Sequence, residues 1–487
     1  MTTLNRRSYL FILALSLQCL SVIAQDRPNV IFILTDQWRS TALGYAGNKQ
    51  VKTPNLDRFS RESVNFKNCV SVLPICTPYR AALMTGRYPT TTGMITNDIY
   101  LPDRELCMAE IFKAAGYSTA FYGKWHIDGH GRMNNVQPDR RQGFEYWKGS
   151  ECSHDFNNMP YYENEDPALK YWEGYSPFSM EADIEKYLTE RSKEVDPFLL
   201  FISLETPHFS KHIAPKKYMD MYPPASLELP ENVDIQKFPK VRDELQEYYA
   251  HCTATDEAIG KLLEKLKTLG MYDRSIIVFS ADHGEMMGSH SVRPREKQVA
   301  WDESVKTPFL IRFPGIDKQA GRSTLTPITT PDVLPTMLSL AGVSIPGAIE
   351  GEDLARIVRN PDKKVDRAAL FMNVYYNAPS PYFEYRAVKT NKYTYIKSTE
   401  KAAFLFDNLS DPLQMNNLIE DPASARLIEK MEKTLRRELA KIGDEDFKSH
   451  EYYFKKFGMN FNGSKKEQVP YSTSPGQQLP VISPRSN

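Results

Sequence analysis

The chain of 487 residues predicts an α/β fold, in which helices sandwich a large, mostly parallel β-sheet and a smaller C-terminal α+β subdomain follows. Two observations predict this class. Continuous apolar runs with many β-branched residues are typical of strands buried on both faces, as in parallel sheets. Beyond about residue 365, shorter runs indicate an antiparallel sheet instead. The four long runs cover residues 29–35, 117–122, 198–204 and 275–280.

Helices are expected between the long runs, because the chain carries start and stop signals for them. Pro54 suits a first helical position, and Gly116 and Gly270 follow the last turns of two further helices. These signals predict helical layers over the sheet. The predicted helices cover residues 53–64, 104–115 and 242–269.

The C-terminal subdomain is predicted from four short strands and a helix at residues 423–442. The strands cover residues 371–375, 385–388, 393–396 and 404–406. A segment rich in proline and serine ends the chain and predicts a poorly ordered tail. The expected divisions are a signal peptide at 1–24, a large N-terminal domain at 25–364, the subdomain at 365–471 and the tail at 472–487.

The N-terminus has the pattern of a secretory signal peptide. Arg6 and Arg7 precede an apolar run at residues 9–17, and small residues end the segment near Ala24. The run is too short to span a bilayer, and no later stretch reaches about 18 uninterrupted apolar residues. We therefore expect an exported protein, periplasmic or extracellular, without an integral membrane span.

Charge is balanced across the chain, with 61 basic and 61 acidic residues. A balanced chain has no overall field that would recruit nucleic acid or a membrane surface. Nucleic acid is therefore not an expected partner, and any chemistry on anions must come from a local cluster.

The cysteine count raises a question about Cys76. Removal of the signal peptide takes Cys19 away and leaves five cysteines, an odd number. Either one thiol stays free or one cysteine does not act as a thiol. The other four can form two disulfides in three possible pairings, or remain buried and free. These four are Cys69, Cys107, Cys152 and Cys252.

Cys76 precedes a predicted helix whose start favours an anion. Thr77 is a good N-cap, Pro78 suits the first helical position, and Gly86 ends the helix. Free backbone N–H groups and the positive end of the helix dipole then face Cys76, and Arg80 can reach the same anion. A capped helix with a buried cysteine and a surface arginine is the alternative.

Polar residues of catalytic type follow the long apolar runs. Asp36 and Gln37 end the first run, and Asp282 and His283 end the fourth, so that together they offer oxygen and nitrogen ligands to a divalent cation. Alone, each pair could be a cap or a tight turn. Because ligands bind beyond the carboxyl ends of strands in such sheets, the sequence predicts one site there.

A lysine and a histidine follow the second run. Lys124 and His126 lie two apart in an extended segment, so their side chains are expected on one face. A cation and an imidazole on one face suit binding an anionic group and moving a proton. Sequence spacing does not place His208 or Lys297.

Together these residues resemble the formylglycine-dependent sulfatases of the alkaline phosphatase superfamily. Residues 76–87 (CTPYRAALMTGR) match the C-x-P-x-R signature with its downstream T-G-R, and residues 123–126 (GKWH) match the second signature. The resemblance continues through residues 282–285, 297–308 and 405–418, and so covers almost the whole mature chain. It implies an alkaline-phosphatase-like fold and hydrolysis of sulfate monoesters.

The resemblance implies that Cys76 is oxidised during export to formylglycine (3-oxoalanine). A formylglycine-generating enzyme or an anaerobic sulfatase-maturing enzyme would be the partner. The aldehyde hydrates to a gem-diol, one oxygen of which attacks sulfur to give a covalent sulfoenzyme intermediate, and elimination of sulfate restores the aldehyde. This modification would explain the odd cysteine.

Family roles carry over to the matching positions. Asp36, Gln37, residue 76, Asp282 and His283 would bind one Ca2+ per chain. Gln37 and His283 stand where many relatives have Asp and Asn, so another divalent ion is possible.

The remaining roles concern the sulfate and the protons. Arg80 and Lys124 would hold the diol and sulfate oxygens, and His126 would be the base that triggers elimination. His208 and Lys297 would contact the sulfate and the bridging oxygen, with His208 protonating the leaving alcohol.

A sulfated carbohydrate, such as a glycosaminoglycan or another glycan fragment, is the expected substrate, because export favours an extracellular polymer. Two alternatives remain: a phosphodiesterase or phosphonate monoester hydrolase of the same superfamily, and a non-catalytic glycan-binding relative with an unmodified Cys76. Neither the sugar nor an oligomeric state follows from the sequence. Candidate residues of the sugar pocket are Asp128, His130, Arg132, His154, Lys211 and His212.

Overall fold

The computed structural model describes residues 27–209, 214–375, 384–398 and 401–459. The predicted signal peptide, Lys211, His212 and the predicted tail lie outside these residues. The strands are β1 (Asn29–Asp36), β2 (Val64–Phe66), β3 (Cys69–Val70), β4 (Ser118–Lys124), β5 (Tyr146–Ser150), β6 (Asn158–Glu163), β7 (Asp166–Glu173), β8 (Phe198–Pro207), β9 (Ser275–Ala281), β10 (Lys306–Thr307), β11 (Phe309–Arg312), β12 (Ser323–Thr324), β13 (Ile328–Thr329), β14 (Ala369–Asn373), β15 (Tyr385–Lys389), β16 (Tyr393–Ser398) and β17 (Ala402–Asp407).

The helices lie between and around these strands. They are α1 (Pro54–Arg61), α2 (Cys76–Thr85), α3 (Pro89–Thr92), α4 (Met108–Ala114), α5 (Ser176–Arg191), α6 (Lys216–Met219), α7 (Val241–Thr268), α8 (Asp302–Val305), α9 (Thr330–Leu340), α10 (Ala355–Arg359), α11 (Ala425–Lys441) and α12 (His450–Phe457). Short 3-10 turns cover Gly44–Ala46, Pro138–Arg140, Pro224–Ser226, Tyr272–Arg274, Leu418–Glu420 and Pro422–Ser424. Within the described ranges, no helix combines the length and the hydropathy that a membrane span needs.

The main sheet has ten strands in the order β12-β2-β11-β9-β1-β8-β4-β5-β6-β7. Its five central strands, β9 to β5, run parallel, and antiparallel pairs flank them on both sides. The four apolar runs of the sequence are four neighbouring strands of this centre, β9, β1, β8 and β4. The predicted fold class is therefore confirmed, with mixed edges around a parallel centre.

Both faces of the sheet are covered, as the unbroken apolar runs predict. Along β1, Phe32 packs into the core on one face and Ile33 into the core on the other. Leu83 of α2 joins the first core, and Leu56 of α1 and Ile259 of α7 join the second. Since successive side chains of a strand point to opposite faces, each strand residue serves one of the two helical layers.

The predicted end of α1 and the predicted start of α4 are wrong, and local packing explains both. Helix α1 ends at Arg61 rather than near residue 64, because Val64 and Phe66 are buried on one face of β2, which pairs with β11 and β12. Helix α4 begins at Met108 rather than 104. The Glu110 carboxylate accepts the backbone N–H of Cys107 at 2.7 Å and closes a capping box there.

Helix α2 begins at Cys76, two residues earlier than the sequence predicts. The Tyr79 N–H donates to the Ile75 carbonyl at 3.2 Å, which makes Ile75 the cap and places Cys76 in the first turn. Thr77 is therefore not the N-cap. The predicted end is confirmed, since Gly86 has a left-handed φ of 66°.

The C-terminal strands β14 to β17 form a separate antiparallel sheet in sequence order. Helix α11 packs on it through Met431 and Leu435 and matches the predicted helix closely. The first strand lies two residues earlier than predicted, and α12 was not predicted. Of the two states left open for the cysteines, the structure shows all five described residues buried and free.

A buried ion pair fastens the segment after α11 to this sheet. The side chains of Arg386 on β15 and Asp444 are both fully buried and lie 2.5 Å apart, and the Tyr453 hydroxyl donates to Asp444 at 2.6 Å. An uncompensated buried charge is far more costly than an exposed one. The pair is therefore a main constraint on how the C-terminal segment packs.

We expect Asp444→Ala to lower the free energy of unfolding by about 3–5 kcal/mol, because it leaves the Arg386 charge buried and unpaired. Chemical denaturation followed by circular dichroism measures the change. Asp446→Ala removes a carboxylate whose side chain is 78% exposed and is the matched control, with a change under about 0.5 kcal/mol. Equal stability of both variants would contradict the role of the Arg386–Asp444 pair in packing the C-terminal segment.

Candidate active site

Four potential metal ligands converge at the carboxyl edge of the central strands. Asp36 ends β1, Asp282 and His283 follow β9, and Cys76 lies in the first turn of α2. All four are buried, and one ligand atom from each lies within 4.8 Å of the others. His283 donates Nδ1–H to the Gly284 carbonyl at 3.0 Å, which leaves the Nε2 lone pair facing this cluster. Two carboxylates and an acceptor imidazole therefore fit a divalent cation.

Gln37 lies beside the four ligands. Its backbone adopts a left-handed φ of 61°, and its N–H donates to Asp282 Oδ1 at 3.0 Å. The side-chain oxygen accepts a hydrogen bond from Lys297 Nζ at 2.8 Å, while the amide nitrogen donates to Glu285. Gln37 thus links the cluster to the segment that carries Lys297.

Two buried cations balance the carboxylates. Arg80 lies 3.3 Å from Asp36 and 3.2 Å from Asp282, and Lys124 Nζ lies 2.6 Å from Asp36. Burial opposes ionisation of Asp36, but the charges of Lys124 and Arg80 outweigh it and hold the pKa of Asp36 well below its ordinary value. The arginine is buried, which excludes the surface arginine of the alternative reading. The Asp36 carboxylate is therefore charged and can bind a cation.

Cys76 carries an unmodified thiol, which lies beside these charged side chains. Its Sγ lies 3.4 Å from His283 Nε2, 3.8 Å from Asp36 and 3.9 Å from Lys297 Nζ. Burial, together with the Asp36 charge, raises the pKa of Cys76 to about 12. As an unmodified thiol it would stay protonated at neutral pH and be a weak nucleophile.

Lys124 and His126 do not share one face of a strand, contrary to the prediction. Strand β4 ends at Lys124, and His126 has a left-handed φ of 58°. Gly123 makes the close approach of β4 to β8 possible, since a Cβ there would lie 2.0 Å from the Ser203 carbonyl oxygen. The Thr77 hydroxyl donates to the His126 carbonyl at 2.8 Å and fixes the turn. The Lys124 side chain binds Asp36, whereas the His126 side chain binds Asp98.

His126 is poised as a base. Its Nε2–H donates to Asp98 Oδ1 at 3.0 Å, and no described residue hydrogen-bonds the buried Nδ1. Burial and the nearby Lys124 charge lower the pKa of His126 well below its ordinary value, although Asp98 opposes them. The ring is therefore neutral, with a free lone pair on Nδ1.

Asp98 is a site residue that sequence reasoning missed. It binds Arg132 with both oxygens, at 2.8 and 3.0 Å, as well as His126. Burial opposes its charge, but these two partners hold the pKa of Asp98 well below its ordinary value. Asp98 lies in a loop without periodicity or motif, so no sequence signal pointed to it.

His208 and Lys297, which spacing could not place, lie together at the site. His208 follows β8, and its Nδ1–H donates to the Phe209 carbonyl at 2.8 Å. Its Nε2 therefore accepts from Lys297 Nζ at 3.1 Å. Burial, with the charges of His154 and Lys297, lowers the pKa of His208 well below its ordinary value.

The described candidates for a sugar pocket are all engaged with other side chains. Asp128 lies 3.2 Å from His130 and 2.8 Å from Arg140, and the His130 ring stacks on Tyr100. Arg132 binds Asp98, as above. His154 stacks on the ring of His208. Direct contact of these side chains with a sugar stays a prediction.

Two family models match this chain. Residues 28–343 match the family model described as Sulfatase, and residues 291–441 match one described as N-sulphoglucosamine sulphohydrolase, C-terminal. The chain belongs to the sulfatase family. It is a sulfuric ester hydrolase of the alkaline-phosphatase-like superfamily, and the resemblance noted in its motifs is confirmed.

Individual relatives agree with this assignment. The sulfatase is 54% identical to an ulvan-active sulfatase of Formosa agariphila over 446 residues, which is 91% of this chain and 87% of that one. A solved structure from work on glycosaminoglycan metabolism by Bacteroides thetaiotaomicron has a TM-score of 0.78 at 27% identity, and the match covers 88% of this chain and 98% of that one.

A phosphonate monoester hydrolase of Agrobacterium radiobacter shares the fold. Its TM-score is 0.68 at 20% identity, and the match covers 85% of this sulfatase and 96% of that chain. At this identity the likeness speaks for the architecture alone.

We expect Asp98→Asn to lower kcat for sulfate release roughly 10- to 100-fold, because His126 and Arg132 lose the charge that orients them. Steady-state kinetics measures the effect. Asp103→Asn is the matched control, since that carboxylate is 70% exposed and binds Arg140 instead. An unchanged kcat in Asp98→Asn would remove Asp98 from the site.

Proposed function

We propose that the sulfatase removes O-sulfate from a carbohydrate, either an extracellular polysaccharide or fragments of one. One observation carries this proposal: Cys76, within a complete C-x-P-x-R signature, faces two buried carboxylates together with Arg80 and Lys124. The 54% identical relative is ulvan-active, which supports a sulfated glycan as substrate. The secretory pattern of residues 1–24 supports export to the periplasm or the medium.

Cys76 is proposed to be the precursor of formylglycine, made by a maturation enzyme of the formylglycine-generating or anaerobic type. In that form residue 76 supplies the nucleophile that attacks sulfur. The signature and the crowded anion site around residue 76 support this assignment. A protonated thiol has no comparable nucleophilicity in such surroundings.

A divalent cation, with Ca2+ as the first choice, is proposed at Asp36, Gln37, residue 76, Asp282 and His283. When bound, it would withdraw charge from the sulfate oxygens and favour the ionised nucleophile. Four of these residues supply the converging atoms described above, and the Gln37 oxygen points toward Lys297 at the same edge.

Positive charge around the sulfate is the proposed source of transition-state stabilisation. Arg80 and Lys124 are held rigidly by Asp36 and Asp282, so they need no rearrangement when charge develops on the transferring group. Preorganised charges of this kind are most effective where water is excluded, and both side chains are almost fully buried.

Two groups are proposed to move protons. His126 Nδ1 accepts the proton whose removal releases sulfate, since that nitrogen carries a free lone pair and Asp98 holds the ring. At the leaving alcohol, His208 acts together with Lys297. The Lys297 ammonium lies between His208 and residue 76 and supplies the proton, while His208 Nε2 accepts a hydrogen bond from that ammonium and holds it in place. His126 thus acts in the release of sulfate, and His208 acts in the departure of the alcohol.

A panel of substrates tests the function. We expect sulfate release from ulvan or glycosaminoglycan fragments at a kcat/KM at least about 100-fold above that for a phosphate diester or phosphonate monoester. Ion chromatography of released sulfate is the measurement. Cys76→Ala should abolish turnover while leaving the circular dichroism spectrum unchanged. A preference for the phosphate diester would contradict the proposed substrate and favour the phosphodiesterase alternative.

Mass spectrometry of the same preparations separates mechanism from substrate. In protein from a host with a maturation enzyme, the peptide containing residue 76 should weigh about 18 Da less than the thiol form. Full activity with only the unmodified thiol would refute the formylglycine nucleophile. An unmodified, inactive protein from that host would favour the glycan-binding alternative.

Calcium should stabilise the folded chain through this site. At a free calcium concentration 100 times Kd, we expect about 2.7 kcal/mol of added stability, visible as a higher Tm that a chelator reverses. Asp282→Asn should abolish the calcium-dependent shift. Asp317→Asn, an exposed control, should keep it. If Asp282→Asn shifts as much as the parent protein, the proposed ligand set is wrong.

A further inference from the structure

The ring of His154 lies flat against the ring of His208. Their centroids are 3.8 Å apart, and the ring planes differ by 8°. His154 reaches this position from the segment after β5, with a left-handed φ of 57°. A non-glycine residue in that region is uncommon and is held there by its surroundings.

Cys152 and Glu205 hold His154 from both sides of its ring. Cys152 Sγ lies 3.2 Å from Nε2, and a Glu205 oxygen lies 3.3 Å from Nδ1. Glu205 also accepts the backbone N–H groups of Ser153, at 3.0 Å, and of His154 itself. Both ring nitrogens therefore face protein groups, an arrangement that fits a support for His208 better than a sugar contact.

We propose that His154 is a positioning residue for His208, held in place by Cys152 and Glu205. This inference rests on the proposed function, in which His208 serves the leaving alcohol. The stack fixes the plane of the His208 ring, while the Phe209 carbonyl and Lys297 fix its rotation within that plane. His208 is then constrained in every direction before substrate arrives.

The charges of His154, Cys152 and Glu205 support a second effect of His154, which concerns the protonation state of His208. Burial opposes each charge, but His154 outweighs it and lowers the pKa of Glu205 to about 2 and, with Lys124, that of Cys152 to about 7. In return, Cys152 and Glu205 raise the pKa of His154 to about 8 against burial. A cationic ring therefore lies against His208 at neutral pH.

His208 is kept neutral by its surroundings. His154, Lys297 and Lys124 all disfavour a positive charge on it, whereas Asp36 favours one. A neutral ring with hydrogen on Nδ1 accepts from Lys297 at Nε2, as the structure shows. His154 thus fixes both the orientation and the protonation state of His208.

Two substitutions separate orientation from charge. His154→Phe keeps a flat ring for the stack and removes the charge, whereas His154→Ala removes both. For His154→Ala we expect kcat for sulfate release to fall roughly 10- to 100-fold with KM changed less than about threefold. For His154→Phe we expect kcat within about fivefold of the parent, with the pH-profile limb that reports His208 moved to higher pH. Rescue of kcat by the phenylalanine is what a positioning role requires.

Two spectroscopic titrations test the role of His154 without a measurement of turnover. In protein labelled with 13C-histidine, the His208 resonance, assigned with His208→Gln, should titrate at higher pH in His154→Phe than in the parent. The thiolate absorbance of Cys152, taken as the difference from Cys152→Ser at 240 nm, should appear near pH 7 in the parent. In His154→Phe it should move to about 8.5 or above. Cys252, whose pKa burial raises well above the ordinary value, is the internal control and should not titrate in this range.

The outcomes are distinct. If the parent chain releases no sulfate from any substrate, the proposed function fails, and the two titrations still decide the inference. A parent-like kcat in a folded His154→Ala variant, or an unmoved His208 titration in His154→Phe, would overturn it. An unmoved thiolate titration would remove Cys152 from the support.

Discussion

The burial of two carboxylates side by side is the constraint on which the site depends. Asp36 and Asp282 stand at the ends of neighbouring parallel strands, because β1 and β9 pair in register up to Thr35. Fully buried charges of one sign need compensation that water cannot supply, at a cost of several kcal/mol each if it is missing. Arg80 meets both carboxylates at once, and so the placement of α2 is tied to the sheet.

The sequence predicted the centre of the fold well because one physical signal specifies it. Runs such as residues 29–35 are apolar at every position, which only a strand covered on both faces tolerates. Such strands end at one edge of the sheet, so the convergence of Asp36 and Asp282 followed from the pattern. The predicted start of α2 is two residues too late, since the choice between Ile75 and Thr77 as cap depends on which groups outside the helix bind Thr77.

The outer part of the site could not be predicted, because its residues meet only through tertiary structure. Asp98 reaches His126 from a loop without a motif. Glu205 and Cys152 come from β8 and from the segment after β5, which lie on either side of β4 in the sheet. No spacing along the chain carries that adjacency. The sequence predicts His154 as a candidate sugar ligand but not its contact with His208, because an isolated loop histidine gives no sign of its neighbours.

Charge alone does not explain why such a site would prefer a sulfate ester to a phosphate diester, since each carries one negative charge. The difference lies in the second substituent of the diester. Arg80, Lys124 and Asp282 lie on the inner side of the site and are each at most 2% exposed. His208 and Lys297 are partly exposed, so the alcohol part of a bound ester is expected on their side. A monoester places one substituent there and a diester two, so the space beside His208 and Lys297 would decide between the two proposed substrate classes.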